Sequence, residues 1–115
     1  MNKKIGLGLQ YLVALLLLVS AAFKFFAPPA PKMNAFPHLI EAIPYIGALE
    51  ILVVLLWVIP QTKKAGFYLV CSYLGGAICA HVFMGEKMIF PAIFLVLGWV
   101  AMYLQDKNMS GPLAK

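Results

Sequence analysis

Four long apolar runs, separated by short polar or proline-containing stretches, dominate the sequence. They cover about residues 5–26, 43–59, 65–84 and 88–104. Each run holds about 17 to 22 residues, and a helix that crosses a bilayer needs roughly 20. The runs lack the period-two alternation of membrane strands, so they indicate helices. The sequence therefore predicts an all-α integral membrane protein, a four-helix antiparallel bundle.

The composition indicates that lipid is the solvent of this chain. It is 63% hydrophobic and 11% charged, whereas soluble domains have roughly 45–50% apolar and about 25% charged residues. A chain of 115 residues cannot bury that surplus in its own core, so soluble enzymes and disordered tails are excluded. The nine cationic residues are scattered lysines that form no basic stripe. We therefore expect membrane lipid, and no nucleic acid, as a partner.

The positions of the lysines predict the orientation of the bundle. If both termini lie on one side, that side receives Lys3, Lys4, Lys63, Lys64, Lys107 and Lys115. The opposite loops receive Lys32 and Lys87, with Lys24 just inside the membrane. Because cytoplasmic loops are enriched in lysine and arginine, we expect both termini in the cytoplasm.

The N-terminus also resembles a cleavable signal peptide. Two lysines precede an apolar run, and the small residues Ser20, Ala21 and Ala22 follow it. The apolar run continues to Phe26, however, and is long enough to span the bilayer. We therefore expect residues 1–115 to form a single transmembrane domain.

Three ionisable residues lie inside the apolar runs: Lys24, Glu50 and His81. Such residues cost about 2.5–3.5 kcal/mol at the centre of a bilayer, so each is a candidate for function. In an antiparallel bundle with a rise of about 1.5 Å per residue, all three fall about 3 to 11 Å below the outer surface. We expect them to converge on one outer-leaflet polar site.

The chemistry of this predicted site suits a small ligand. A lysine stabilises a neighbouring carboxylate, and a histidine exchanges protons with a carboxylate or a ligand. A quinone, a lipid head group or a metal ion are possible ligands, but one histidine and one carboxylate are too few to predict a metal. The alternative is a structural one, in which Lys24 and Glu50 pair to fix the helix register and His81 is their hydrogen-bonded neighbour.

Small residues on the third helix predict close packing. Ser72, Gly76 and Ala80 recur every four residues, and Gly75 lies beside them. Such stripes let membrane helices approach closely, so we expect helix three to pack here within the chain or in a homo-oligomer. Cys71 and Cys79 lie on the same helix, about 12 Å apart along its axis, which is too far for a disulfide.

Four segments carry a resemblance to a known family. They are Ser20-Ala21-Ala22-Phe23-Lys24-Phe25, Ile46-Gly47-Ala48-Leu49-Glu50-Ile51-Leu52, Ile59-Pro60 and Gly75-Gly76-Ala77-Ile78-Cys79-Ala80-His81. Their order and spacing over about residues 5 to 105 resemble the DoxX-like family of small four-helix bacterial membrane proteins. That family has a small residue–x–Lys, a Gly–x–x–Glu and a Gly–Ala–x–x–x–His element, so the resemblance implies site roles for Lys24, Glu50 and His81. It often has arginine where this chain has Lys63-Lys64.

The resemblance implies one main function and two alternatives. Relatives are associated with thiosulfate:quinone oxidoreductase, oxidative-stress membrane complexes and the maturation of other proteins. We therefore expect a multi-pass protein of the bacterial inner membrane that is auxiliary to a membrane redox or stress system. We expect it to have no cofactor of its own and to bind a quinone or lipid and a membrane or redox protein partner. The first alternative is a membrane subunit of a quinone-linked oxidoreductase. The second is an assembly factor that packs against partner helices.

Overall fold

A computed structural model describes residues 2–26, 35–85 and 87–105 of the chain. Within these ranges the helices are α1 (Asn2–Phe26), α2 (Pro37–Val58), α3 (Lys63–Phe83) and α4 (Ile89–Gln105). A short 3₁₀ turn, Pro60–Thr62, joins α2 to α3. The described residues contain no strand, so the predicted all-α, four-helix fold is confirmed.

The four helices form a ring of antiparallel neighbours. Helix α1 packs against α2 and α4, and α3 packs against the same two helices. Near the start of α1, Gln10 donates a hydrogen bond to the carbonyl of Trp57 at the end of α2 (3.1 Å). The ring of Phe67 near the start of α3 lies 5.0 Å from that of Trp99 in the second half of α4. We call the end that holds the α2–α3 turn the inner end, and the opposite end the outer end.

Helix α2 extends further towards the outer end than the sequence predicts. It begins at Pro37 and not near residue 43. Proline fits the first helical turn because its missing N–H has no helical partner there. A second proline, Pro44, lies inside the helix, where a membrane bundle tolerates it. Glu50 therefore lies 13 residues after the start of α2, and not about seven as predicted.

The buried core lies in the inner half of the bundle. It consists of Val13, Ala14, Leu17, Val53, Val54, Trp57, Phe67, Val70, Leu74 and Met102. Towards the outer end, none of residues 37–46 in α2 and none of the described residues 75–85 in α3 is buried. On the side of α2 and α3 the bundle is thus closely packed in its inner half and open in its outer half, whereas Ala21 of α1 and Pro91 of α4 are buried in the outer half.

The outward surface of the bundle is suited to lipid. Large apolar side chains such as Leu15, Phe83 and Val96 are 58%, 77% and 60% exposed. An apolar surface of this extent is not stable in water. Three helical stretches are long and apolar enough to cross a membrane: Lys3–Phe26, Pro37–Val58 and Pro60–Phe83. Helix α4 is equally apolar but shorter, with 17 residues.

Close packing of the helices depends on two glycines that the sequence does not single out. A Cβ atom at Gly6 would lie 2.6 Å from the carbonyl oxygen of Ala101 on α4. A Cβ atom at Gly66 would lie 2.6 Å from the carbonyl oxygen of Leu56. Real Cβ atoms do not approach backbone so closely, so these positions require glycine.

The small-residue stripe predicted on α3 does not take part in the packing between the described helices. A Cβ atom at Gly75 or Gly76 would meet no atom within 4 Å. Ser72 is exposed and Ala80 is half-buried. Among the described residues, Gly75 and Gly76 therefore pack against no other helix of the chain, and packing between copies stays a prediction.

Substitution by alanine should have opposite effects at Gly66, which lies against backbone, and at Gly75, which has free space around it. Gly66→Ala should destabilise the fold by about 1–3 kcal/mol, because the methyl group meets backbone that cannot move freely. Gly75→Ala should be neutral or stabilising by up to about 1 kcal/mol, because alanine favours helix and meets no neighbour. Unfolding in mixed micelles, followed by circular dichroism, measures both changes. Equal destabilisation by the two variants would contradict this packing.

Candidate functional site

Two of the three predicted site residues meet in the structure. The Nζ atom of Lys24 on α1 lies 2.9 Å from Oε1 of Glu50 on α2. The Glu50 side chain is 1% exposed and that of Lys24 is 26% exposed. The two residues therefore form an ion pair whose carboxylate is fully buried.

Small residues one turn away from each partner bring this pair together. A Cβ atom at Gly47 would lie 3.1 Å from Cε2 of Phe25 and 3.3 Å from Cβ of Lys24. Glycine at this position thus lets the end of α1 lie directly on α2. On α1, the Lys24 ammonium donates a hydrogen bond to Oγ of Ser20, one turn earlier (3.0 Å). This bond directs the lysine side chain back along α1, towards Glu50.

Tyr73 adds a third helix to the site. Its hydroxyl donates a hydrogen bond to Oε1 of Glu50 (2.9 Å), and its ring centroid lies 6.0 Å from Nζ of Lys24. We call Lys24, Glu50 and Tyr73 the polar cluster. The sequence did not single out Tyr73, because it is one of many aromatic residues in the apolar runs and carries no charge.

The polar cluster lies deeper in the bundle than predicted. Tyr73 lies ten residues after Lys63 and ten before Phe83, at the middle of α3. Glu50 lies 13 residues after the start of α2, or roughly 20 Å along its axis. The cluster therefore lies near mid-height, at the boundary between the packed inner half and the open outer half. The prediction of an outer-half position was based on too late a start for α2.

One oxygen of Glu50 has no partner in the described structure. Both Lys24 and Tyr73 bind Oε1, while Oε2 is buried and accepts no hydrogen bond. A buried polar atom without a partner is rare in proteins and costs free energy. Two donors on Oε1, one of them a cation, are the arrangement expected for an ionised carboxylate. Oε2 is then an unused acceptor at the centre of the site.

The third predicted residue, His81, lies nearer to the outer end. It follows Tyr73 by eight residues on α3, which is about 12 Å along the helix. Its Nδ1 atom lies 2.7 Å from the carbonyl oxygen of Ala77, and no hydrogen bond joins it to Lys24 or Glu50 in the described structure. The structure thus brings together two of the three predicted residues and leaves His81 on the outer part of α3.

An apolar groove opens at the outer end, between the start of α2 and the end of α3. Its volume is about 370 Å³. The rings of Phe36 and Phe83, 5.5 Å apart, join its two walls. The lining residues are Ala35, Phe36, Pro37, His38, Leu39, Ala80, Phe83 and Met84. The outer half of the bundle therefore offers apolar space beyond the polar cluster.

A second polar network lies at the inner end, and the sequence did not predict it. Gln10 is fully buried. Its Oε1 accepts a hydrogen bond from Nε2 of Gln105 (2.8 Å), and Lys63 binds the other end of the Gln105 amide. The sequence carries a weak signal for this network, because Gln10 is a lone amide within an apolar run, but an uncharged amide is less costly in lipid than a charge. Since these amides are well partnered, the network holds the inner ends of the helices together.

Metal-binding and thiol groups are sparse in the described residues. No cluster of three His, Cys, Asp or Glu residues that could hold a metal ion occurs in 2–26, 35–85 and 87–105. Cys71 is half-buried and Cys79 is exposed, and both are free thiols.

A double-mutant cycle tests the buried pair. Lys24→Leu should destabilise the protein by about 3 kcal/mol, because it leaves the buried Glu50 without its cation. Lys24→Leu/Glu50→Leu together should be more stable than Lys24→Leu alone, because no buried charge is left unpaired. A loss of about 1 kcal/mol should remain, because the Tyr73 hydroxyl loses its acceptor. Unfolding free energies in mixed micelles give the coupling energy. Additive effects of the two single substitutions would show that the residues do not interact.

Comparisons with known proteins identify the family of the chain. Searches among curated proteins and among solved structures give no match. The family model described as the DoxX-like family matches residues 8–101. This match covers most of the chain and includes all three helices that contribute to the polar cluster. The chain belongs to the DoxX-like family and is a small integral membrane protein.

Proposed function

We propose that the chain binds a small amphiphile, with a quinone-type ring as the best candidate, at the polar cluster. One observation supports this above the others: Glu50 is fully buried, yet one of its two carboxylate oxygens has no partner. A purely structural ion pair would be expected to use both oxygens, because each unpaired buried acceptor costs free energy. A ligand that hydrogen-bonds to Oε2 accounts for this arrangement.

The surroundings of the cluster favour an amphiphile over a water-soluble ligand. The open outer half and the groove between Phe36 and Phe83 provide apolar space. Lys24, which is partly exposed, supplies a charged donor at mid-height of the bundle. The groove lies further towards the outer end, since Ala80 follows Tyr73 by seven residues on α3, or about 10 Å. Ligand sites are commonly apolar cavities with a few polar groups that fix the head group. A ring with oxygen substituents and an apolar tail fits such a site.

The wider role that we propose is auxiliary, in a membrane redox or stress system. Family membership supports a membrane protein, and the lysines at the inner end support a cytoplasmic position for both termini. We further propose that the membrane is the inner membrane of a bacterium. In this role the protein holds or delivers an amphiphile for a partner protein of the membrane.

A second candidate function is helix-mediated assembly. A Cβ atom at Gly75 or Gly76 would meet no atom of the described residues within 4 Å, and both residues are exposed. This face of α3 could therefore receive a helix from another protein or a second copy. Small residues on such a face allow the close approach on which membrane helix association depends. This alternative needs no ligand at Glu50, so a binding measurement distinguishes it from the first.

Binding of decylubiquinone to the purified protein tests the proposal. We expect saturable binding of the oxidised or the dithionite-reduced form, detected by equilibrium dialysis in detergent. The variant Lys24→Leu/Glu50→Leu should bind at least about tenfold more weakly, because the head group loses its polar partners.

The matched control is Glu41→Leu/Lys87→Leu, which removes the same two residue types. Both residues are exposed and lie outside the cluster, so this variant should bind like wild type. If neither form of the probe binds saturably, or if the two double variants bind equally, the proposal is wrong. Helix content by circular dichroism confirms that each variant is folded.

A further inference from the structure

We infer that the ligand of this site donates a hydrogen bond to Oε2 of Glu50, so the site selects a hydroxyl over a carbonyl. This inference rests on the proposed function and specifies the chemistry of its ligand. Within the quinone class, it means that the reduced form, the quinol, binds in preference to the quinone.

The protein itself uses most of the hydrogen-bond donors and acceptors in the polar cluster, and those that remain define the ligand. Oε1 of Glu50 accepts from Lys24 and from Tyr73, both at 2.9 Å. The Tyr73 hydroxyl has only one hydrogen, and Oε1 receives it. The Lys24 ammonium has three N–H groups, of which Ser20 and Glu50 take two. The cluster therefore offers a ligand one N–H donor, on Lys24, and the carboxylate oxygen Oε2, which is buried without any partner. The oxygen of the Tyr73 hydroxyl can also accept, but it is a weaker acceptor than a carboxylate.

A hydroxyl group fits this pair of partners and a carbonyl does not. The O–H of a quinol donates to Oε2 while its oxygen accepts from Lys24. A quinone carbonyl has no hydrogen to donate, so it accepts from Lys24 and leaves Oε2 buried without a partner. Sites built to hydrogen-bond a ligand hydroxyl reject analogues that lack it, because the buried protein group is then unpaired.

The nearly isosteric substitution Glu50→Gln should exchange the acceptor at the position of Oε2 for a donor. Lys24 and Tyr73 are both donors, so the amide of the glutamine turns its oxygen towards them. Its NH₂ group then takes the position of Oε2 and converts the empty acceptor into a donor. A donor at that position suits the quinone carbonyl. Glu50→Gln should therefore reverse the preference between the two forms of the ligand.

The test compares the affinities of decylubiquinone and decylubiquinol for the same protein, under anaerobic conditions. Wild type should bind the quinol at least about tenfold more tightly than the quinone. Glu50→Gln should bind the quinone at least as tightly as the quinol. The control Glu41→Gln, the same substitution at an exposed position of α2, should keep the preference of wild type.

A second pair of probes avoids oxidation of the quinol during the measurement. In the compounds 4-decylphenol and 4-decylanisole, the ring oxygen carries a hydrogen and a methyl group respectively, so only the phenol can donate a hydrogen bond. Wild type should prefer the phenol by at least about tenfold, and Lys24→Leu/Glu50→Leu should not discriminate between the two.

The possible outcomes separate this inference from the proposed function. Saturable binding of both quinone forms with equal affinity, or tighter binding of the quinone by wild type, would overturn the inference and leave the proposed function standing. An unchanged preference in folded Glu50→Gln would also overturn it. Absence of binding by either form would overturn the proposed function itself.

Discussion

The ion pair between Lys24 and Glu50 is the constraint on which the arrangement of the helices depends. In hydrocarbon neither charge is stable alone, so α1 and α2 must hold a register in which the two groups meet. Gly47 permits the necessary close approach, and Ser20 directs the ammonium towards the carboxylate. Tyr73 extends the constraint to α3. One buried carboxylate thus fixes the relative positions of three helices.

This constraint coincides with a change in packing along the bundle. On the inner side of Glu50, the helices enclose Trp57, Phe67 and their apolar neighbours, and the amides of Gln10 and Gln105 join the inner ends. On the outer side, α2 and α3 have no buried residue in the described segments 37–46 and 75–85. The polar cluster therefore lies at the inner limit of the open outer half of α2 and α3. A rigid base beneath an open apolar space suits the capture of an amphiphile from the membrane.

Much of this arrangement could be predicted from the sequence. The role of Tyr73, the start of α2 and the packing of the α3 stripe could not, and each has a physical reason. Charged residues are costly in lipid, so Lys24 and Glu50 stand out in apolar runs and their pairing follows. Tyr73 has no such signal. The predicted start of α2 near residue 43 is too late. Proline favours the first turn of a helix, and a start at residue 43 places Pro44 there, but in the structure Pro37 occupies the first turn and Pro44 lies inside the helix. The four-residue spacing of Ser72, Gly76 and Ala80 predicts a smooth face on α3 but does not reveal whether another helix covers it.

We propose that Glu50 is an ionised carboxylate in the middle of the bundle, and that a ligand supplies the partner that its buried Oε2 lacks. Infrared spectroscopy of wild type against Glu50→Gln measures its charge state directly. We expect the difference spectrum to contain the bands of a carboxylate, and we expect ligand binding to shift them, because Oε2 gains a hydrogen bond. A carbonyl band of a neutral carboxylic acid in ligand-free wild type, or carboxylate bands that saturating decylubiquinol leaves unchanged, would contradict the account.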